Sequence, residues 1–142
     1  MTTLETTTIY KENRLHDLAY LGIRLALGAI FIVHGYAKLD AGFAGFLGRL
    51  GLPAEMQIPI ALAEIVPGVL LIAGVITRIS ASILSAIMLG AIFYVKKPTE
   101  LTGQAGFELE LILLVSSLLL VAVGAGKFSA SHTLKKLPRF LK

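Results

Sequence analysis

Residues 18–39, LAYLGIRLALGAIFIVHGYAKL, form an apolar run long enough to cross a bilayer, yet they carry Arg24 and His34 within it. A spanning helix needs roughly 20 predominantly apolar residues. An arginine at mid-depth costs about 2.5–3.5 kcal/mol on insertion scales, so its side chain must face protein or water rather than acyl chains. At 100° per residue, Arg24, Gly28, Phe31, Gly35 and Lys38 fall on one stripe. Its two glycines allow a second helix to approach closely, and the stripe is expected to face the interior of a bundle.

Three further apolar runs follow, and they supply that bundle. Residues 56–77 hold Glu64 near the middle and Pro67 three positions on. Proline lacks the backbone donor, frees the carbonyl of Ala63 and predicts a kink. Only Thr77-Arg78 separates this run from the next, 79–95, so the two must form an antiparallel hairpin. In that third run Ser82, Ala86 and Gly90 lie four apart, the spacing of a small-residue packing face. The fourth run, 107–125, opens with Glu108 and Glu110 and aligns Glu110, Ser117 and Gly124. Between the first two runs, Phe43, Phe46, Leu47 and Leu50 recur at helical spacing with Arg49 on the polar side. That pattern predicts a short helix lying in the membrane interface, ended by Gly51-Leu52-Pro53. The expected fold class is all-α, a bundle of four transmembrane helices with a short interfacial helix between spans 1 and 2. Residues 1–17 read as a polar N-terminal tail, 18–126 as the membrane domain and 127–142 as a basic C-terminal tail.

Composition narrows the function classes. With 56% hydrophobic and 15% charged residues, and a mean hydropathy of +0.81, the 142-residue chain has too few polar side chains to cover a soluble globule. No cysteine is present, which removes disulfides, thiolate metal sites and iron–sulfur clusters held by this chain. His34 is the only histidine within a span, so haem held by two histidines is excluded. The glutamates show no paired Glu-x-x-His spacing, so no metal site is expected. Phosphate loops, nucleophile elbows and metalloprotease helices are missing, no catalytic residue is assigned, and no arginine stripe suits nucleic acid. Eight Lys and Arg residues fall in the tails and the second loop against four in the first and third loops. The positive-inside rule then places both termini in the cytoplasm of a multi-pass plasma-membrane protein.

The polar side chains inside the spans are the candidate site. Glu64 lies at a height within about 10 Å of both Arg24 and His34 at 1.5 Å rise per residue. An intramembrane Arg24–Glu64 pair that fixes helix register is the plain expectation, and a polar pocket offering a donor and an acceptor to a ligand is the sharper one. His34 and Lys38 sit one turn apart at the end shared with Glu108 and Glu110, and pairing among them is expected. Taken singly, His34 reads as a packing histidine before a proton relay or a donor to a quinone carbonyl. Lys38 reads as a snorkelling lysine, Lys96 and Lys97 as interface anchors, and the two glutamates as charges favoured at a helix N-terminus.

These residues run in the order seen in the DoxX family of small membrane proteins, which the chain resembles over 18–131. The matching pieces are Arg24-Leu25 and Gly28; Phe31, His34-Gly35 and Lys38-Leu39; Gly51-Leu52-Pro53 and Glu64; Gly68, Leu70-Leu71 and Gly74; Thr77-Arg78; Gly106 with Glu108; and Gly124, Gly126 and Ser129. Where the family often has Gly-Gly after the glutamate, this chain has Pro67-Gly68. The resemblance implies a four-helix membrane bundle associated with redox systems, similar to the small membrane subunit of a quinone oxidoreductase. By position it carries the family's polar residues onto Arg24, His34, Lys38, Glu64 and Glu108, as a ligand-binding or intramembrane polar cluster.

The expected function is therefore that of an accessory membrane subunit or partner of a quinone-linked redox enzyme complex. It would be non-catalytic itself and hold no intrinsic cofactor, with quinone as the small molecule involved. Expected partners are membrane lipid and either other subunits of such a complex or further copies of the chain, and no nucleic acid. The alternatives are a small-solute or proton-linked permease using Glu64 and His34, and a structural membrane protein whose charges only specify packing.

Overall fold

A computed structural model describes residues 14–130. The tail segments 1–13 and 131–142, including most of both predicted tails, lie outside the described residues. The chain is all-α, with five α-helices: α1 (Arg14–Ala37), α2 (Ala41–Arg49), α3 (Gln57–Ala73), α4 (Thr77–Gly90) and α5 (Glu108–Val123). A single 3₁₀ turn, Ala54–Met56, leads into α3, and α4 continues as a π-helical segment, Ala91–Lys96. Among the described residues three helical runs are long and apolar enough to cross a membrane: Arg14–Ala37, Ala54–Ala73 and Thr77–Lys96. The fourth predicted run gives α5, whose 16 residues span about 24 Å at 1.5 Å per residue, less than a typical hydrocarbon core.

The four longer helices pack in a ring, α1 on α3, α3 on α4, α4 on α5 and α5 back on α1. The stripe predicted on the first helix does face inward: Arg24, Gly28, Phe31 and Gly35 are buried, and Lys38 is half-buried. Its glycines set the tightest seam. A Cβ on Gly28 would lie 2.6 Å from the Gly68 carbonyl oxygen, and one on Gly35 would lie 2.8 Å from that of Ala61. Backbones this close admit only glycine. The resulting antiparallel register puts Gly28 against Gly68 and Gly35 against Ala61, with Arg24 near the end of α3.

The third run departs from expectation. Ser82, Ala86 and Gly90 are exposed, and a Cβ on Gly90 would meet nothing within 4 Å. The packing face of α4 is instead Thr77, Ser80, Ala81, Leu84, Ser85 and Met88. Ala81, Leu84 and Met88 on that face join Leu27, Phe31, Leu71, Leu113 and Leu120 in one core. The small residues that pack inward are Thr77, Ala81 and Ser85, also four apart but on a different face from Ser82 and Ala86. The predicted hairpin holds, but its turn is Gly74-Val75-Ile76 rather than Thr77-Arg78, which form the first turn of α4 because Gly74 takes the left-handed conformation that ends α3.

Candidate functional site

The bundle has two differently built ends. At one, α3 and α5 finish and leave their last carbonyls without helical donors. Gly74, at φ +69°, closes α3 with paired bonds from Gly74 N–H to Leu71 O and from Val75 N–H to Leu70 O. Into this turn Arg24 donates from Nε to Leu71 O (2.9 Å) and from Nη2 to Ile72 O (3.1 Å). Its Nη1 donates to Ala125 O (2.6 Å) and Phe128 O (2.8 Å) beyond α5. Arg24 is 1% exposed, and four carbonyl oxygens share its charge. Arg78 adds a bond to Ala122 O at 3.2 Å, and Lys127 N–H donates to Asp17 Oδ1 at 3.1 Å. Gly74 has a second reason to be glycine, because a Cβ there would collide with the Arg24 guanidinium. Gly74, Gly124, Gly126 and Ser129, scattered through the sequence, thus gather near one arginine.

The expected Arg24–Glu64 pair does not form, for a directional reason. Side chains on a helix lean toward its own N-terminus. Arg24 therefore leans toward the start of α1, and Glu64, on an antiparallel helix, leans the opposite way. Lys38 leans toward Glu64, and Glu64 toward Lys38. Their ion pair, Nζ to Oε1, replaces the snorkelling lysine that was expected. Gly35 makes it possible, since a Cβ on that residue would lie 3.2 Å from Glu64 Cβ. Glu64 is 0% exposed, and its second oxygen, Oε2, is buried with no hydrogen-bond partner among the described residues.

Above this pair lies an open-sided cavity of about 730 Å³, lined by the end of α1, by α2, by the start of α3, by the end of α4 and its π-helical continuation and by the start of α5. Its walls are mainly apolar, with Phe46, Leu47, Met88 and Leu113 among them. Ala63 also lines it; α3 runs unbroken through Pro67, so the Ala63 carbonyl lacks its helical donor. Polar groups are few: Lys38, Glu64, His34, Tyr94 and Glu110. Glu110 repeats the arrangement at Glu64, with Oε1 3.9 Å from Lys96 Nζ and a buried Oε2 that has no partner. Lys96 is thus an ion-pair partner as well as a residue of the interface, while Lys97 is exposed.

The predicted short helix is α2, and it forms one wall. Asp40 caps it by accepting from Gly42 N–H at 2.8 Å, and Gly51, at φ +74°, ends it with Leu52 N–H donating to Leu47 O. Two anchors that the sequence reading did not single out hold it. Gln57 Nε2 donates to Lys38 O (2.9 Å) and Asp40 O (2.8 Å), and Tyr94 O–H donates to Leu50 O (2.8 Å). Tyr94 owes its position to the π-helical turn, a form that recurs at functional sites.

Of the predicted site residues, Lys38 and Glu64 are joined, and His34 is exposed at the cavity's edge. Arg24 belongs to the opposite end. Glu108 is exposed and lines a separate shallow depression with Leu101 and Thr102, so the expected pairing of His34 or Lys38 with Glu108 or Glu110 is not made.

No solved structure matches the chain. It is similar to "Putative oxidoreductase CatD" of Bacillus subtilis (strain 168), at 35% identity over 115 residues covering 80% of this chain and 84% of the relative. It is also similar to "Uncharacterized membrane protein Rv3486" of Mycobacterium tuberculosis, at 31% identity over 130 residues covering 80% of each. The DoxX family model matches residues 19–97, from the first helix to the end of the π-helical segment, and with its apolar helices the chain is a multi-pass membrane protein of the DoxX family.

Proposed function

We propose that this protein is the membrane partner of a quinone-linked redox enzyme, holding a quinone headgroup in the cavity above Lys38 and Glu64 and carrying no redox cofactor itself. The cavity carries the reading. Its volume lies within the roughly 300–1,000 Å³ usual for small-ligand sites, and apolar walls with a few convergent polar groups are their common make-up. The residues fit such a ring: Phe43 and Phe46, with centroids 5.6 Å apart, offer aromatic faces, and the buried carboxylate oxygens without partners at Glu64 and Glu110 suit the hydroxyls of its reduced form. A quinone bound there would supply the electron-carrying chemistry, while these side chains bind and orient it and α2 limits water. The oxidoreductase name of the Bacillus relative supports the same direction.

In this reading α5 is the fourth span, short and largely apolar beyond its acidic first turn, and both termini lie at the plasma membrane's cytoplasmic face by the charge rule. The cavity then opens in the outer half of the bilayer, beside α2 in the interface. Closure of the other end around Arg24 favours binding over passage, which sets this reading above a permease. Affinity purification in mild detergent is the test. Recovery with a redox enzyme, and reduced quinone turnover in membranes lacking this protein, are expected. Recovery alone with turnover unchanged defeats the proposal, and proteoliposome flux that depends on Glu64 would favour the permease.

A further inference from the structure

Among the described residues that line the cavity, the buried side-chain atoms without a hydrogen-bond partner are of one kind. Glu64 Oε2 and Glu110 Oε2 are buried acceptors on two different helices, each on a carboxylate whose other oxygen faces a lysine. None of the donors nearby reaches these two oxygens: Lys38 turns to Glu64 Oε1, Lys96 to Glu110 Oε1 and the Gln104 carbonyl, and the Tyr94 hydroxyl to Leu50 O, while His34 stands exposed at the rim. A quinone has only carbonyl acceptors, whereas its reduced form carries two hydroxyl donors. Placing a carbonyl against an unpaired carboxylate oxygen leaves both without a donor, and a hydroxyl satisfies both at once.

Resting on the quinone reading above, we infer that the cavity selects a ligand whose ring donates hydrogen bonds, the hydroquinone rather than the quinone, with Glu64 and Glu110 as the two acceptors. The protein thereby holds the reduced carrier and releases the oxidised one. The aromatic pair Phe43 and Phe46 receives either ring equally, so the preference resides in the two carboxylates.

Three probes of matched shape separate these effects: decyl-benzohydroquinone, decyl-benzoquinone, and the dimethyl ether of the hydroquinone, which has the same ring and no donor. Each is equilibrated without oxygen with the full-length protein in nanodiscs, and retention is measured by extraction and absorbance against empty discs. The hydroquinone is expected to bind at least tenfold more tightly than either of the others. Glu110→Gln and Glu64→Gln each exchange an acceptor-only group for one that also donates, and each should narrow the preference about fivefold or more. Glu110 is only partly buried, so its variant keeps the test open where Glu64→Gln fails to fold. Equal or tighter binding of the quinone or the ether overturns the preference while leaving a quinone site in place. No retention of any probe above empty discs overturns both.

Discussion

Two charged side chains are buried in this small bundle, and their surroundings are opposite in kind. Arg24 meets four carbonyl oxygens at and just beyond the ends of two helices and does not line the cavity. Glu64 meets one lysine, keeps one oxygen unpaired and stands at the foot of a cavity of about 730 Å³. A buried charge normally requires compensation in full. Where the compensation is complete, the charge is structural; where it stops halfway next to open space, under the function proposed above the remainder belongs to a guest. Burial alone does not distinguish them, since both residues are nearly inaccessible.

Mutation can break this contrast or sharpen it. The largest effect is expected for Arg24→Ala, which strips donors from two helix ends together and should lower unfolding stability in detergent by about 3–5 kcal/mol. Arg24→Lys should recover only part of it, because an ammonium lacks the planar fork that reaches divergent carbonyls. Stability unchanged in Arg24→Ala would remove the structural half of the contrast. Next comes Gly35→Leu. Overpacking against Ala61 and Glu64 should cost about 1–3 kcal/mol and should separate Lys38 from Glu64, so thermal stability and retention of decyl-benzohydroquinone fall together.

A sharper contrast comes from removing the Glu64 pair as a unit. Lys38→Met with Glu64→Leu should leave stability within about 1 kcal/mol of the native protein or raise it, since well-packed apolar groups often replace a buried ion pair without loss. Ligand retention should nevertheless vanish, a separation that no substitution at Arg24 is expected to reproduce. The smallest effect belongs to Tyr94→Phe, which deletes the bond to Leu50 O and should cost about 0.5–1.5 kcal/mol. Hydrogen exchange should then quicken in α2 and remain unaltered around Gly74.

Much of the scaffold was legible before any coordinates. The inward stripe of the first helix follows from spacing, the α3–α4 hairpin from the absence of any loop, and the end of α2 from Gly51-Leu52-Pro53. What escaped has physical causes. The partners of Arg24 are backbone carbonyls, which every residue possesses and which therefore leave no mark in a sequence. Height along the membrane was estimated from Cα rise alone, which ignores the lean of side chains toward their own N-terminus; that lean separates Arg24 from Glu64 and brings Lys38 to it. Small residues lie four apart on two faces of α4, Ser82-Ala86-Gly90 and Thr77-Ala81-Ser85, and spacing alone does not say which one packs; the face that also carries Leu84 and Met88 took the core. The π-helical turn that delivers Tyr94 has no sequence pattern by which it was recognised.

The carbonyls of Ala125 and Phe128 reach Arg24 across 101 and 104 residues of chain. During synthesis the first helix therefore enters the bilayer more than a hundred residues before two of the acceptors for its guanidinium exist. Until then the charge must be shared with water, lipid headgroups or the insertion machinery, and the growing chain stays a loose collection of helices. Arrival of residues 125–128 completes the set, so a copy terminated before them keeps the α3 acceptors of Arg24 but leaves Nη1 without its two carbonyls.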